Sequence, residues 1–226
     1  VISIKDKTNK SLSSKQKYFQ RYHPKLEDPN LAALDDEDPN LEDEKYDECG
    51  LEERIDKRNL DFLLAGLMPM AKTNERSFAE AVANSGDEKQ KINYLCYFFQ
   101  KRERKDKDAL TLFLEYKDRL EIAEKKYSTQ TMPGYQTDRG RVYIQYGKPN
   151  RIDDELSDMT RSAINNAIIP YEIWTYYTVA EPQPQSNVQF VFAQTNRANY
   201  NYEIVHSNAI GEFNNPGWKQ QIQSRM

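Results

Sequence analysis

The chain has 226 residues, 30% of them charged, and a net charge of −4. That length allows one large domain or one domain with an extension, and fifteen Tyr, nine Phe and two Trp supply enough apolar surface for a sizeable core. The mildly acidic balance argues against a general nucleic-acid binder, and no apolar run is long enough to cross a bilayer. Because the chain begins at Val1 without a signal-peptide pattern, we expect a processed chain or a piece of a longer protein.

Residues 1–58 are predicted to form an acidic, turn-rich extension or linker. Between Glu27 and Asp56, fourteen acidic residues stand against two basic ones. The sequence Glu-Asp-Pro-Asn-Leu occurs at residues 27–31 and again at residues 37–41, and Asp-Pro-Asn is typical of turns. So polar a segment buries too little apolar surface to fold alone. It is either a solvated linker or an extended arm that lies on a basic surface of this protein or of a partner.

The two cysteines leave two interpretations open. Cys49 and Cys96 either form one disulfide in an oxidising compartment or remain unpaired thiols, with Cys96 buried among apolar neighbours. Together with His23 and His206 they are spread over the chain without zinc-ligand spacing. The sequence also lacks nucleotide-binding and hydrolase motifs, so we predict no metal and no cofactor.

Helices are predicted over residues 59–127, at the start of an α+β domain that covers residues 59–226. Asp87 is suited to cap one helix, with Gln90 in the capping-box position, and the apolar residues that follow recur at helical spacing. Asp108 is suited to cap the next helix, whose apolar stripe continues over four turns to about residue 126.

Residues 141–146 alternate between apolar and polar side chains, which predicts a strand. Asp138 and Gly140 are typical of a turn before that strand, and Gly147 and Pro149 are suited to end it.

Three further strands are predicted at residues 171–177, 188–194 and 202–206, which are rich in β-branched and aromatic residues. A short C-terminal helix is predicted over residues 217–226. Helices that precede a sheet, rather than alternate with it, indicate an α+β fold. We therefore expect N-terminal helices packed on a four-stranded, mostly antiparallel sheet over residues 141–206.

Residues 132–149 read MPGYQTDRGRVYIQYGKP and resemble the signature of the GWxTD domain family. Further elements fit in order at residues 98–102, 171–177 and 216–218, so the resemblance covers about residues 90–220. Tyr135 stands where the family has Trp, and because Tyr keeps a flat ring we expect its packing role to survive. The residues of this resemblance to which we assign a structural role are Gly134, Tyr135, Thr137, Asp138, Gly140, Gly147, Pro149 and Trp218.

The resemblance implies a bacterial domain that is usually carried by exported proteins of the Gram-negative envelope, without an established enzymatic activity. It implies a location in the periplasm or at the outer membrane, with any lipid anchor upstream of Val1. Export also favours a disulfide between Cys49 and Cys96.

Two functions from different classes fit these features. The first is a non-enzymatic interaction or scaffold subunit of an envelope complex, with other envelope or outer-membrane proteins as partners and no nucleic acid. The second is a cell-surface carbohydrate-binding or hydrolytic module that uses Asp138, Arg139 and the Tyr/Trp strand. No catalytic residue is predicted. The candidate binding residues are Asp138, Arg139, Arg141, Tyr171, Trp174 and Tyr176.

A structural interpretation of the same residues stays open. An Arg fork pairs with oxyanions, but Asp138 is equally suited to cap a turn while an Arg pairs with an internal carboxylate. Exposed aromatic rings anchor partners, but one face of the strand at residues 171–177 is equally suited to a core. A carboxylate pair for acid–base chemistry would have to come from Asp138, Asp153, Asp154, Glu155 and Glu172.

Overall fold

The computed structural model describes residues 2–5, 11–15, 49–85, 87–154, 169–180, 183–195 and 201–223. The chain divides into two compact units, Val1–Lys45 and Tyr46–Met226. In the first unit, β1 (Ile2–Lys5) pairs with β2 (Ser11–Lys15) in an antiparallel hairpin. The two acidic repeats lie outside the described residues.

Within the described part of the second unit, five helices precede the sheet. The predicted capping box is confirmed, because Asp87 accepts a hydrogen bond from the Gln90 N–H and the Gln90 side chain accepts one from the Asp87 N–H. Asp108 caps its helix in the same way through the Thr111 N–H. The five helices are α1 (Leu60–Gly66), α2 (Thr73–Ser85), α3 (Glu88–Gln100), α4 (Ala109–Tyr127) and α5 (Asp138–Tyr146).

The helices α1–α4 enclose an apolar core rich in Leu and Phe. Leu51 and Ile55, which precede α1, are buried in this core as well. A buried hydrogen bond from the Tyr116 hydroxyl to the Leu63 carbonyl oxygen joins α4 to α1. The largest fully buried side chains of this core are Phe98, Phe99, Phe113, Tyr116, Leu51, Leu64, Leu67, Leu95 and Leu120.

The sheet contains four antiparallel strands in sequential order: β3 (Arg151–Asp154), β4 (Tyr171–Val179), β5 (Gln185–Ala193) and β6 (Glu203–Ser207). One face carries Trp174, Tyr176 and Phe190 and packs on α5. The other face is covered by α6 (Trp218–Gln223). The predicted α+β fold with N-terminal helices and a four-stranded antiparallel sheet is therefore confirmed.

The strand predicted at residues 141–146 is wrong, because this stretch is the helix α5. Its helix signal is the Thr137 side chain, which accepts a hydrogen bond from the Gly140 N–H as an N-cap. Val142 and Tyr143 pack on the sheet, while Ile144 packs among the helices. Because three consecutive residues are buried, the helix has no polar face there, and the alternation in the sequence does not reflect its structure.

The sheet consequently begins at Arg151 and not at residue 141. β3 occupies residues at which no strand is predicted, and it pairs Ile152 with Trp174 of β4. The C-terminal helix is present over Trp218–Gln223, within the predicted range 217–226, and residues 224–226 lie outside the described residues. Among the residues that the structure describes, no helix combines the length and the apolar character needed to span a membrane.

Candidate functional site

The signature turn before α5 lies directly on α4, and two glycines allow this contact. An ideal Cβ on Gly134 lies 2.2 Å from the Ala123 carbonyl oxygen, and one on Gly140 lies 1.8 Å from the Gly134 carbonyl oxygen. The Gly134 N–H donates to the Glu124 carboxylate at 2.7 Å. Thr137 is buried between the glycines, where its hydroxyl donates to the Gly134 carbonyl oxygen at 2.8 Å and accepts from the Gly140 N–H at 3.1 Å.

The Asp138 carboxylate joins α5 to the edge of the sheet. It accepts a hydrogen bond from the Ile204 N–H of β6 at 2.8 Å. It also lies in the first turn of α5, where the helix dipole favours a negative charge. Asp138 therefore satisfies a backbone donor on an edge strand, which a partner strand would otherwise use.

Arg139 and Glu172 form a partly buried pair between α5 and β4. The Arg139 guanidinium donates to Glu172 at 2.9 Å, and both side chains are about 16% exposed. The second oxygen of Glu172 accepts from the Trp174 indole N–H at 3.0 Å. The guanidinium also lies 4.0 Å from the ring centroid of Tyr202, a cation–π distance. The Glu172 carboxylate thus has a partner for each oxygen.

The sequence leaves an external oxyanion and an internal carboxylate open as partners of an Arg fork, and the bidentate partner of Arg141 is Glu212 of the same chain. The two guanidinium nitrogens lie 2.7 and 2.8 Å from the two carboxylate oxygens. Burial alone would lower the pKa of Arg141, but the hydrogen bonds to Glu212 outweigh it, so that the pKa is raised. Arg141 is therefore a charged tether for the segment that carries Glu212.

The aromatic strand β4 is mostly part of the interior. Trp174 and Tyr176 are buried, and the Tyr176 hydroxyl donates to the Gly147 carbonyl oxygen at 2.9 Å. Burial raises the pKa of the Tyr176 phenol above its usual value. Tyr171 packs edge-on against Trp218 of α6, with ring centroids 5.5 Å apart. These three predicted binding residues therefore do not form an open platform.

The remaining signature residues also have packing roles. The Tyr135 ring packs edge-on against Phe62 of α1 at a centroid distance of 5.8 Å. Gly147 has φ +79° and ends α5, where its N–H donates to the Tyr143 carbonyl oxygen. Pro149 is buried just before β3.

Comparison with models of known protein families shows to which family this chain belongs. The family model for the GWxTD domain matches residues 57–224. The chain belongs to the GWxTD domain family. The match confirms the resemblance and extends it towards the N-terminus to include α1 and α2. No curated protein and no solved structure matches the chain.

A loop that follows β6 in the GWxTD domain exposes two large apolar side chains. We call residues 208–215 the apolar loop. Ile210 is 48% exposed and Phe213 is 61% exposed. Within the loop, Glu212 is held by Arg141, and the Asn208 carboxamide accepts from the Gln189 N–H at 2.6 Å.

Further contacts hold the apolar loop at both ends. The Asn208 carboxamide donates to the Asn187 carbonyl oxygen at 2.9 Å. The Ser207 N–H donates to the Phe213 carbonyl oxygen at 2.8 Å. The Asn215 N–H donates to His206 Nδ1 at 3.0 Å. The loop is thus fastened to β5, β6 and α5 while the side chains of Ile210 and Phe213 face solvent.

The hydrogen-bond and ion-pair partners of the predicted site residues could not be identified from the sequence. Glu212 lies 71 residues from Arg141, and Ile204 lies 66 residues from Asp138. Glu172 appeared only as a candidate for acid–base chemistry. Glu124 on α4 carries no signal in the sequence beyond an ordinary helix-face charge. Pairings over such distances leave no local pattern from which they can be predicted.

Cys49 and Cys96 form a disulfide in the structure, with their Cα atoms 5.8 Å apart. Cys96 lies on α3 and is buried, and Cys49 begins the segment that carries Leu51 and Ile55 into the helical core.

His206 gives the GWxTD domain a predicted pH dependence. Its Nδ1 accepts the hydrogen bond from Asn215, so the neutral ring is the form that fits, and burial lowers the pKa of His206 below its usual 6.5. The unfolded chain therefore binds this proton at a higher pH than the folded chain does. As a result, the contribution of His206 to the free energy of unfolding is complete above pH about 6.5 and is lost as the pH falls below that value.

We expect His206→Gln to reduce this pH dependence, because Gln keeps an acceptor but does not titrate. The measurement is the free energy of unfolding in urea at several pH values between about 8 and 5. Equal slopes in wild type and His206→Gln would contradict the assignment.

Proposed function

We propose that this chain is a non-enzymatic interaction subunit of a protein complex in the Gram-negative cell envelope. The observation that carries the proposal is the apolar loop, which holds Ile210 and Phe213 in solvent on a backbone fastened by polar contacts. Large apolar side chains dominate the binding energy of protein interfaces. A loop that is already ordered loses less conformational entropy on binding, so it binds more tightly than a flexible one.

The contacts of the signature support a scaffold role for the rest of the domain. The side chains of Asp138, Arg139 and Arg141 each bind another group of the same chain. A catalytic or sugar-binding site needs polar groups that converge on a space for substrate. The alternative function, a carbohydrate-binding or hydrolytic module, therefore receives no support from these three residues or from the buried rings of Trp174 and Tyr176.

The proposed location is the periplasm or the outer membrane, with other envelope proteins as partners. A structural disulfide is typical of proteins that fold in oxidising compartments, which include the bacterial periplasm. The Cys49–Cys96 bond therefore supports export. A lipid anchor upstream of Val1 belongs to the same proposal, and the acidic balance of the chain disfavours nucleic acid as a partner.

The acidic segment is proposed to act as a second contact, an arm that lies on the same partner. Its deletion must stop before Cys49, because Cys49, Leu51 and Ile55 belong to the disulfide and the helical core. Removing Val1–Lys45 deletes the first compact unit and leaves these residues in place. If the arm contributes, this deletion weakens co-purification of the partner while the domain stays folded.

We expect the double substitution Ile210→Ser and Phe213→Ser to weaken partner binding by at least about 30-fold, since a single interface anchor contributes about 2 kcal/mol or more. The measurement is affinity purification of the full chain from its native membranes, with quantitative mass spectrometry of the proteins that co-purify in constant stoichiometry. Leu114→Ser is the matched control, because Leu114 is an apolar side chain on α4 that is 40% exposed. It should leave co-purification unchanged.

Two outcomes speak against the proposal. A wild-type protein that purifies alone, as a monomer, removes the case for a complex. A double variant that retains its partners as well as Leu114→Ser shows that the apolar loop is not the interface.

A further inference from the structure

The disulfide lies within a cluster of three groups that sequence spacing does not reveal. The Sγ atoms of Cys49 and Cys96 and a carboxylate oxygen of Glu52 all lie within 4.8 Å of one another. Gly50, with φ +68°, turns the chain between Cys49 and Glu52. Leu51 is fully buried, which fixes the turn on the helical core. Cys96 lies on α3, at the other end of the disulfide.

We propose that, when the disulfide is reduced, Cys49, Cys96 and Glu52 bind a zinc ion. Thiolate sulfur and carboxylate oxygen are both zinc ligands, at about 2.3 Å and about 2.0–2.2 Å. Tetrahedral coordination at these lengths places neighbouring ligand atoms roughly 3.3–3.8 Å apart. The carboxylate oxygen of Glu52 lies within 4.8 Å of both sulfur atoms. Once reduction breaks the bond between the sulfur atoms, rotation of the three side chains can bring the ligand atoms to these separations. Water occupies the fourth position.

The surroundings of Glu52 favour a cation. Glu52 also lines a surface depression that is bordered by α3. Ile92, one turn before Cys96 on α3, lines the same depression. Glu88 is neutralised by Lys57 at 2.8 Å. Carboxylates outnumber cations there, which raises the local concentration of a divalent metal. The charged lining residues are Glu52, Asp87, Glu88, Lys57 and Lys89.

The disulfide and the metal site exclude one another, since the same two sulfur atoms form both. A dithiol reduces the bond by exchange: its two thiols become a disulfide, and Cys49 and Cys96 each gain one proton and one electron. Zinc then displaces the two thiol protons into solvent and binds the thiolates. The chain therefore has a cross-link under oxidising conditions and a metal clip at the same place under reducing conditions. This inference does not depend on the apolar loop or on a partner.

The test is a metal titration of the full chain after reduction with dithiothreitol and its removal under anaerobic conditions. Cobalt(II) is the probe, because thiolate coordination gives a charge-transfer absorption that zinc should abolish by displacement. We expect saturation at one equivalent and no such absorption in the oxidised protein. Glu52→Gln should weaken binding at least about tenfold, while the matched control Glu53→Gln, an exposed neighbour, should bind like wild type.

Circular dichroism distinguishes loss of the site from loss of the fold. If reduction unfolds the metal-free chain, refolding by one equivalent of zinc supports the site, because binding then stabilises the folded state. Reduced wild type that neither absorbs with cobalt nor refolds with zinc overturns the proposal. Equal affinity in Glu52→Gln and Glu53→Gln removes Glu52 from the ligand set and overturns the site as assigned.

Discussion

Replacing Gly140 by Ala is expected to lower the free energy of unfolding by about 3 kcal/mol or more. The added Cβ would lie 1.8 Å from the Gly134 carbonyl oxygen and 2.7 Å from its carbonyl carbon. Both are backbone atoms, which cannot rotate away as a side chain can. Relief requires the turn to move off α5, and that movement breaks the two hydrogen bonds of the buried Thr137 hydroxyl. Equilibrium unfolding in urea measures the loss.

Gly217→Ala is the matched control for this prediction. The nearest atom to a Cβ on Gly217 is the Asn215 side-chain oxygen at 3.5 Å, an ordinary contact. Because Gly217 directly precedes α6, its replacement affects only helix capping and should cost about 1 kcal/mol at most. A Gly140→Ala variant as stable as Gly217→Ala would show that the signature turn does not pack on α5 as described.

The elements that sequence analysis predicted well are those whose signals are local. Asp87 and Asp108 mark the starts of α3 and α4, because a cap bonds to an N–H only three residues away. The strands β4, β5 and β6 were found to within a few residues, because β-branched and aromatic residues are concentrated in each.

The stretch at residues 141–146 shows where that reasoning fails. Arg141, Tyr143 and Gln145 alternate with apolar residues, and alternation indicates a strand when one face is solvated. Here α5 lies between the helical core and the sheet, so Val142, Tyr143 and Ile144 are all buried on different sides. A helix buried in this way has no apolar stripe. The local signal that remained was Thr137 as an N-cap.

The contacts of the candidate site residues could not be predicted from the sequence. Arg141 is suited to grip a carboxylate in a bidentate manner, and it does, but the carboxylate belongs to Glu212. An aromatic residue such as Trp174 is typical of a binding platform. In the structure, however, its indole N–H donates to Glu172 and its ring packs against α5, so the ring is enclosed. Chemistry follows from residue type, whereas exposure depends on the tertiary fold. The apolar loop was missed because Ile210 and Phe213 have no pattern around them that indicates exposure.

Reduction of the Cys49–Cys96 disulfide is expected to cost about 4 kcal/mol of the free energy of unfolding in the absence of metal. The bond joins residues 47 positions apart, and opening a loop of that length raises the entropy of the unfolded chain by about this amount. The measurement compares urea unfolding of the oxidised protein with that of the reduced protein, with a chelator in both samples. After reduction, the free energy of unfolding should decrease more steeply with urea concentration, because the chain without the cross-link exposes more surface when it unfolds.

The double variant Cys49→Ala and Cys96→Ala is the control, and reductant should not change its unfolding. In the folded protein the bond also fixes the segment that carries Leu51 and Ile55 into the helical core. If burial of those two side chains holds the segment on its own, its protection from proteolysis survives reduction while the free energy of unfolding falls. If the oxidised and reduced proteins unfold at the same urea concentration, the cross-link does not restrict the unfolded chain, and stability in this region comes from the apolar contacts alone.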